Sequence, residues 1–204
     1  MRVLVTREEL VARVASLGHD AVLCELIRVE SLGDDAIDAR AYDWLVITSR
    51  NGARELARRG VAANRIAAIG PATAEALRSH GLQVDLVAAT HTQEGLRDEL
   101  PAGTVLLAAA EGARRDVLEA DFLPLYRTIE LRPEVPDADV ALLMSGSAAR
   151  ALAATGARMP VVAIGPQTAG EARAVGLDVV GVATSHDVDG LVEALRSRSW
   201  SSPS

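Results

Sequence analysis

The 204-residue chain contains no lysine; all 21 of its basic residues are arginine. That absence removes a Schiff-base mechanism, a pyridoxal phosphate enzyme and the lysine of a phosphate-binding P-loop. Aromatic residues make up only 2% of the chain, too few for platforms on which nucleic-acid bases stack. A single cysteine, Cys24, rules out an internal disulfide framework and a cysteine-based metal cluster. No apolar run is long enough to cross a bilayer as a helix. The opening residues, 1–9, turn acidic too soon for a secretory leader, so a reducing, cytoplasmic setting is expected. The net charge of −7 lacks the basic stripe of a nucleic-acid binder. It also means that an anionic ligand must be held by local features rather than drawn in by the overall field.

What is there is a core-forming composition, 49% apolar, written as short alternating elements. Arg2 to Thr6 is a short apolar run that predicts a strand. Leu10, Val11, Val14 and Leu17 recur at helical spacing, and Gly18 ends that helix. Ala21–Leu23 is a second strand, and 26–36 reads as a partly extended linker. Trp44 to Thr48 predicts a buried strand, followed by the turn Ser49-Arg50-Asn51-Gly52 and a helix that stops at Gly60. Further strands are predicted at 66–69, 84–87, 104–107 and 123–130, with helices at 71–80, 92–100 and about 113–120. A second series then begins: strand 140–144, turn Ser145-Gly146-Ser147, helix 148–154 stopped at Gly156, strand 161–164, a helix to Val175, strand 179–182 and a helix from about Val188 to Leu195. The tail, 197–204, reads as disordered. Short strands alternating with helices imply parallel α/β sheets.

The second series repeats the first. Ala68-Ile69-Gly70-Pro71-Ala72-Thr73-Ala74 returns as Ala163-Ile164-Gly165-Pro166-Gln167-Thr168-Ala169, 95 positions on. Asp43, Ser49, Arg54 and Gly60 match Asp139, Ser145, Arg150 and Gly156; His91 and Gly95 match His186 and Gly190. A period this long is a duplicated domain, since solenoid repeats run to about 50 residues. Each Gly-Pro motif reads as a strand, a tight turn and a helix with proline in its first turn, where a missing N–H costs nothing. Such helix starts are ready anion sites, and ligands of open parallel sheets bind at the carboxyl ends of strands. The paired motifs therefore suggest a ligand with several negative groups.

The chain resembles the uroporphyrinogen-III synthase family over nearly its whole length. The resemblance rests on Val3-Leu4-Val5-Thr6-Arg7, Asp43-Trp44-Leu45-Val46-Ile47-Thr48-Ser49-Arg50-Asn51-Gly52, both Ala-Ile-Gly-Pro-x-Thr-Ala copies and Leu125-Tyr126-Arg127-Thr128. It implies two similar flavodoxin-like parallel-sheet domains joined by a two-stranded connector. The first would be discontinuous, 1–28 plus 133–204, the second would be 36–126, and 29–35 and 127–132 would be connectors. It implies an enzyme that cyclises the linear tetrapyrrole hydroxymethylbilane to uroporphyrinogen III, inverting ring D and losing water. No cofactor and no metal would be used. A monomer is expected, without nucleic-acid or membrane partners, and with the hydroxymethylbilane-producing enzyme as upstream partner. The segments after Arg7 and Arg115 are shorter than usual for the family, so trimmed helices are expected there.

The substrate so implied carries eight carboxylates, which suits backbone N–H groups at several helix starts. The candidate binding residues are Thr6 and Arg7; Ser49, Arg50 and Asn51; Gly70 and Thr73; Ser145, Gly146 and Ser147; and Gly165 and Thr168. The serines and threonines can equally be plain N-caps, and both roles can coexist. Tyr126 stands where the resemblance places a recurrent tyrosine, and its phenol could donate a proton to the departing hydroxyl. Thr73 and Thr168 are expected to face one cleft. The rival reading is a two-domain protein that binds a small anion without catalysis. A nucleotide-binding Rossmann enzyme is disfavoured because no Gly-x-Gly-x-x-Gly follows a strand.

Overall fold

The computed structural model of the protein describes residues 1–197. The chain opens with β1 (Arg2–Val5), α1 (Glu9–Ser16), β2 (Asp20–Leu23) and β3 (Ile27–Ser31). It continues through β4 (Ile37–Asp38), β5 (Trp44–Ile47), α2 (Arg50–Arg59), β6 (Val61–Ala62), β7 (Ile66–Ala68), α3 (Pro71–Ser79), β8 (Leu86–Val87), α4 (Gln93–Glu99), β9 (Val105–Ala110) and β10 (Asp121–Glu130). The last part is β11 (Val140–Leu143), α5 (Gly146–Ala154), β12 (Val161–Ala163), α6 (Pro166–Ala174), β13 (Val179–Val182) and α7 (Val188–Arg196). The chain divides into two compact units. One joins Met1–Arg28 to the residues from Ile129 onward, and the other is Val29–Thr128. The chain passes between units within β3 and within β10.

In the first unit five strands lie in the order β13-β12-β11-β1-β2, all paired in parallel. Counted along the unit this is 2-1-3-4-5, the flavodoxin-like order. In the second unit the order is β3-β10-β9-β5-β7-β8, with every pair from β10 to β8 parallel. Leaving β3 aside, this is the same order with the first two strands moved to the end of the unit and no helix between them. Parallel strands covered on both faces should be apolar throughout, and β5, β11 and β12 are. Leu45 and Ile47 of β5 enter one core with Leu56, Leu77 and Leu125, while Trp44 and Val46 enter the core on the other face with Leu96 and Leu107. In β1, Leu4 packs with Leu143 and Leu152 on one face; Val3 and Val5 pack with Leu10 and Leu191 on the other.

The duplication extends to the strand starts. The Asp43 carboxylate accepts hydrogen bonds from the Thr104 backbone N–H (2.8 Å) and hydroxyl (3.1 Å), and Asp139 accepts from the Arg2 N–H at 2.6 Å. Each aspartate thus ties the entry of a central strand to its neighbour. The Thr104 N–H and hydroxyl hold the Asp43 carboxyl below its ordinary pKa. The helix stops at Gly60 and Gly156 take φ of 76° and 79°, a left-handed conformation that favours glycine.

Two sequence expectations need correction. The linker at 26–36 contains β3, a regular strand beside β10. The helix about 113–120 is absent: the Arg115 guanidinium stacks on Phe122, 3.9 Å from the ring centroid, and Arg114 pairs with Glu94 and Asp116. Side-chain contacts anchor that segment where helical hydrogen bonds were expected. The helix after Arg7 is present as α1, eight residues long. Of the tail expected to be disordered, Ser197 caps α7 and the rest lies outside the described residues.

Two expected outcomes follow from the packing. A Cβ at Gly95 would press into the Thr90 carbonyl oxygen, and one at Gly190 into Ser185, whereas one at Gly170 in α6 meets nothing. Gly95→Ala and Gly190→Ala should each cost about 1–3 kcal/mol in urea denaturation, and Gly170→Ala should add about 0.5–1 kcal/mol. The second outcome concerns Asp43. Its lowered folded pKa means that its contribution to stability is present above the unfolded carboxylate value and lost as pH falls through the folded one. The stability gap between wild type and Asp43→Asn should be full at neutral pH and should close below about pH 4.

Candidate functional site

In each unit the candidate side chains lie where parallel strands end and helices begin. In the second unit, β9 and β5 form the point at which successive connections diverge, the position where open α/β sheets bind ligands. Ser49 follows β5 there. Its backbone is extended, and its Oγ accepts the Gly52 N–H at 3.0 Å, capping α2. Gly52 allows this close seating, because a Cβ there would come within 3.3 Å of both Ile47 and the Ser49 hydroxyl.

Tyr126 reaches the same spot from β10, where it pairs with Ala110 at the end of β9. Its side chain packs among Ile47, Leu56, Leu125 and Ala108, and the residue is only 5% exposed. The phenol oxygen lies 2.8 Å from Ser49 Oγ, and the Asn51 side chain also hydrogen-bonds it. Burial pushes the phenol above its ordinary pKa, while the bonds to Ser49 and Asn51 pull it back. The structure therefore brings together Tyr126, Ser49 and Asn51. Arg50 is exposed on the first turn of α2.

The two Gly-Pro turns are near copies. Gly70 and Gly165 are N-caps of α3 and α6 with φ of −179° and −178°, and the prolines follow directly. That backbone is extended and open to any residue, so conformation alone does not require glycine at either position. A Cβ at Gly70 would lie 3.0 Å from the His91 ring, and one at Gly165 would lie 2.9 Å from the His186 ring. Each histidine thus lies against the glycine that starts a helix. Neither contact is local in sequence, and only the equal spacing of the two histidines signalled it. Thr73 and Thr168 sit in the first turns and are buried, 5% and 7% exposed. The Thr73 N–H donates to the Gly70 carbonyl at 3.2 Å.

In the first unit the corresponding divergence point lies between β1 and β11. Thr6, buried after β1, donates its hydroxyl to the Leu142 carbonyl at 3.3 Å and so bridges the two strands. Arg7 beside it is half-buried. Ser145 caps α5 by accepting the Ala148 N–H at 3.2 Å, in the same backbone conformation as Ser49. Ser147 is half-buried in the first turn of α5. Gly146 has a neighbour that sequence reasoning missed. The Glu171 carboxylate presses against it, held by Arg150, which also pairs with Glu130 at 2.9 Å. An internal anion therefore lies beside the start of α5. Among the described residues no group of three histidine, cysteine, aspartate or glutamate side chains could hold a metal ion, and no helix is long and apolar enough to cross a membrane.

A family model described as uroporphyrinogen-III synthase HemD matches residues 8–193. A provisionally named uroporphyrinogen-III synthase from Archaeoglobus fulgidus is 28% identical over 228 aligned positions, covering 97% of this chain and 99% of that one. A mutant uroporphyrinogen III synthase from Thermus thermophilus, solved by crystallography, matches with a TM-score of 0.63 at 18% identity, over 96% of this chain and 97% of its own. That likeness is one of fold. The family match takes in both Gly-Pro turns, both serine caps and the strand that carries Tyr126, and the chain belongs to the uroporphyrinogen-III synthase family.

Proposed function

We propose that the divergence point of the second unit is where this chain cyclises hydroxymethylbilane, with Tyr126 as the proton donor. The family is one of lyases that close hydroxymethylbilane to uroporphyrinogen III, inverting ring D and releasing water. The observation that carries the site assignment is the buried Tyr126 phenol held 2.8 Å from the hydroxyl that caps α2.

The chemistry asks little of side chains. Protonation of the departing hydroxyl releases water and leaves a reactive azafulvenium cation. Attack by that electrophile on the substituted carbon of ring D gives a spiro intermediate, which fragments and recloses with the ring inverted. The protein must hold a flexible polyanion in one geometry and suppress simple closure, which is catalysis by orientation. Carboxylates are proposed to meet the starts of α2, α3, α5 and α6. Arg50 and Asn51 would serve the first, Gly70 and Thr73 the second, Ser145, Gly146 and Ser147 the third, and Gly165 and Thr168 the fourth. Thr6 and Arg7 would add a further contact. Partial charges at helix starts let a protein of net charge −7 bind such a ligand. A monomer in the cytoplasm, receiving substrate from the hydroxymethylbilane-producing enzyme, completes the reading.

Freshly generated hydroxymethylbilane, with separation of uroporphyrin isomers after oxidation, tests the activity. Isomer III should dominate; isomer I alone would overturn the reading. Tyr126→Phe should lower kcat about ten- to a hundredfold, at the lower end of general-acid effects, while still yielding isomer III. A wild-type rate would remove the acid role. Thr73→Val and Thr168→Val should each raise KM, and non-additivity in the double variant would report a shared ligand.

A further inference from the structure

The Ser49–Tyr126 contact is one in which either hydroxyl can be the donor, and the direction decides what the phenol can do. Ser49 Oγ has two lone pairs and one proton. One lone pair already accepts the Gly52 N–H at 3.0 Å. At 2.8 Å from Tyr126, the pair holds one bond and one proton to make it. If Tyr126 donates, its acidic proton is tied to the serine and is not free for a ligand. If Ser49 donates, the phenol oxygen becomes the acceptor and its own proton is free. The Asn51 side chain, the second group on the phenol, can act as donor through its amide N–H.

We propose that Ser49 is the donor, and that it serves as a positioning residue that leaves the Tyr126 proton free and stabilises the tyrosinate formed when that proton leaves. The positive end of α2 then acts on the phenol through the serine: Gly52 N–H to Ser49 Oγ, and Ser49 O–H to the phenol oxygen. This assignment rests on the proposed acid role and adds to it a source of acidity within the protein. In the step itself, the phenol O–H bond breaks and its proton joins the departing hydroxyl. The C–O electron pair leaves with that oxygen as water, the substrate carbon is left as an azafulvenium cation, and tyrosinate remains. The proton released from the pyrrole on closure restores the phenol. The charged residues close by in the chain, Arg50, Glu111 and Arg127, are exposed, and the groups acting on the phenol are Ser49 and Asn51.

The chain has only two tyrosines, so a Tyr42→Phe background leaves Tyr126 as the sole phenol. Tyr42 is bonded to Asp121, away from Ser49. Tyrosinate absorbance after a rapid pH jump then reports Tyr126 alone in the folded protein. Removing a donor to the anion should raise the ionisation midpoint in Ser49→Ala by about half a unit to one unit, and Ser49→Thr should leave it unchanged. Ser49→Gly is the parallel variant, since glycine is tolerated as an N-cap; it should show the same rise. A midpoint that falls or stays put in both variants overturns the assignment, because losing an acceptor would lower it. In turnover, Ser49→Gly should cut kcat about tenfold with KM within about twofold, and Ser49→Thr should restore it. An effect on KM alone would make Ser49 a ligand contact instead. If the wild type gave only isomer I, the functional reading would fail while the titration still decided the direction of the bond.

Discussion

A serine hydroxyl at the start of a helix can satisfy one backbone N–H and still act on a third group, and this chain places that device at the carboxyl end of β5. Capping by Ser49 fixes the first turn of α2 against the sheet. Gly52 permits the close seating, and β10 brings Tyr126 within hydrogen-bond distance. Each part depends on the others. Without the cap, the serine would be free to rotate; without glycine at 52, a Cβ would crowd the hydroxyl; without burial, water would compete for the phenol. The parallel sheet makes the arrangement possible, since it sends β5, β9 and β10 to the same edge and hides their apolar faces on both sides.

The duplication shows which parts belong to the fold and which to the chemistry. Both units keep a serine cap, a Gly-Pro helix start, a histidine lying on the glycine, and an aspartate tying two strand entries. These recur because each solves a problem of the architecture: orphan N–H groups, close approach of a loop, and register of central strands. The differences are local. Both tyrosines lie in the second unit, and the first unit sets the Glu171 carboxylate, held by Arg150, beside the start of α5. One copy therefore joins its cap to a buried phenol, and the other sets an ion-pair cluster beside its cap.

Local rules made much of this legible. Gly60 and Gly156 marked helix ends, prolines 71 and 166 marked helix starts, and the spacing of Ser49 and Ser145 located the caps. Apolar runs such as Trp44–Ile47 gave the buried strands. What escaped was set by contacts between distant residues. The short helix expected near 113–120 gave way to a stack of Arg115 on Phe122, which no periodicity encodes. β3 carries mostly exposed or half-buried side chains and so lacked the apolar signal of a core strand. The need for glycine at 70 and 165 comes from a ring 21 residues further along the chain. Glu171 gave no sign that it would meet Gly146, because the pair forms only when α6 packs beside α5.

The segment Val29–Thr128 is bounded on both sides by chain that belongs to the other unit. It therefore has no loose end from which to fray, and fraying from termini is the usual cheapest route to local opening. Its outermost residues enter through β3 and β10, neighbouring strands of a six-stranded sheet. Opening must start at an internal loop or by parting those two strands, and either route breaks hydrogen bonds at once rather than one residue at a time. The unit that holds the Tyr126 phenol is thus shielded, by topology alone, from the slow peeling that would expose a buried side chain to water.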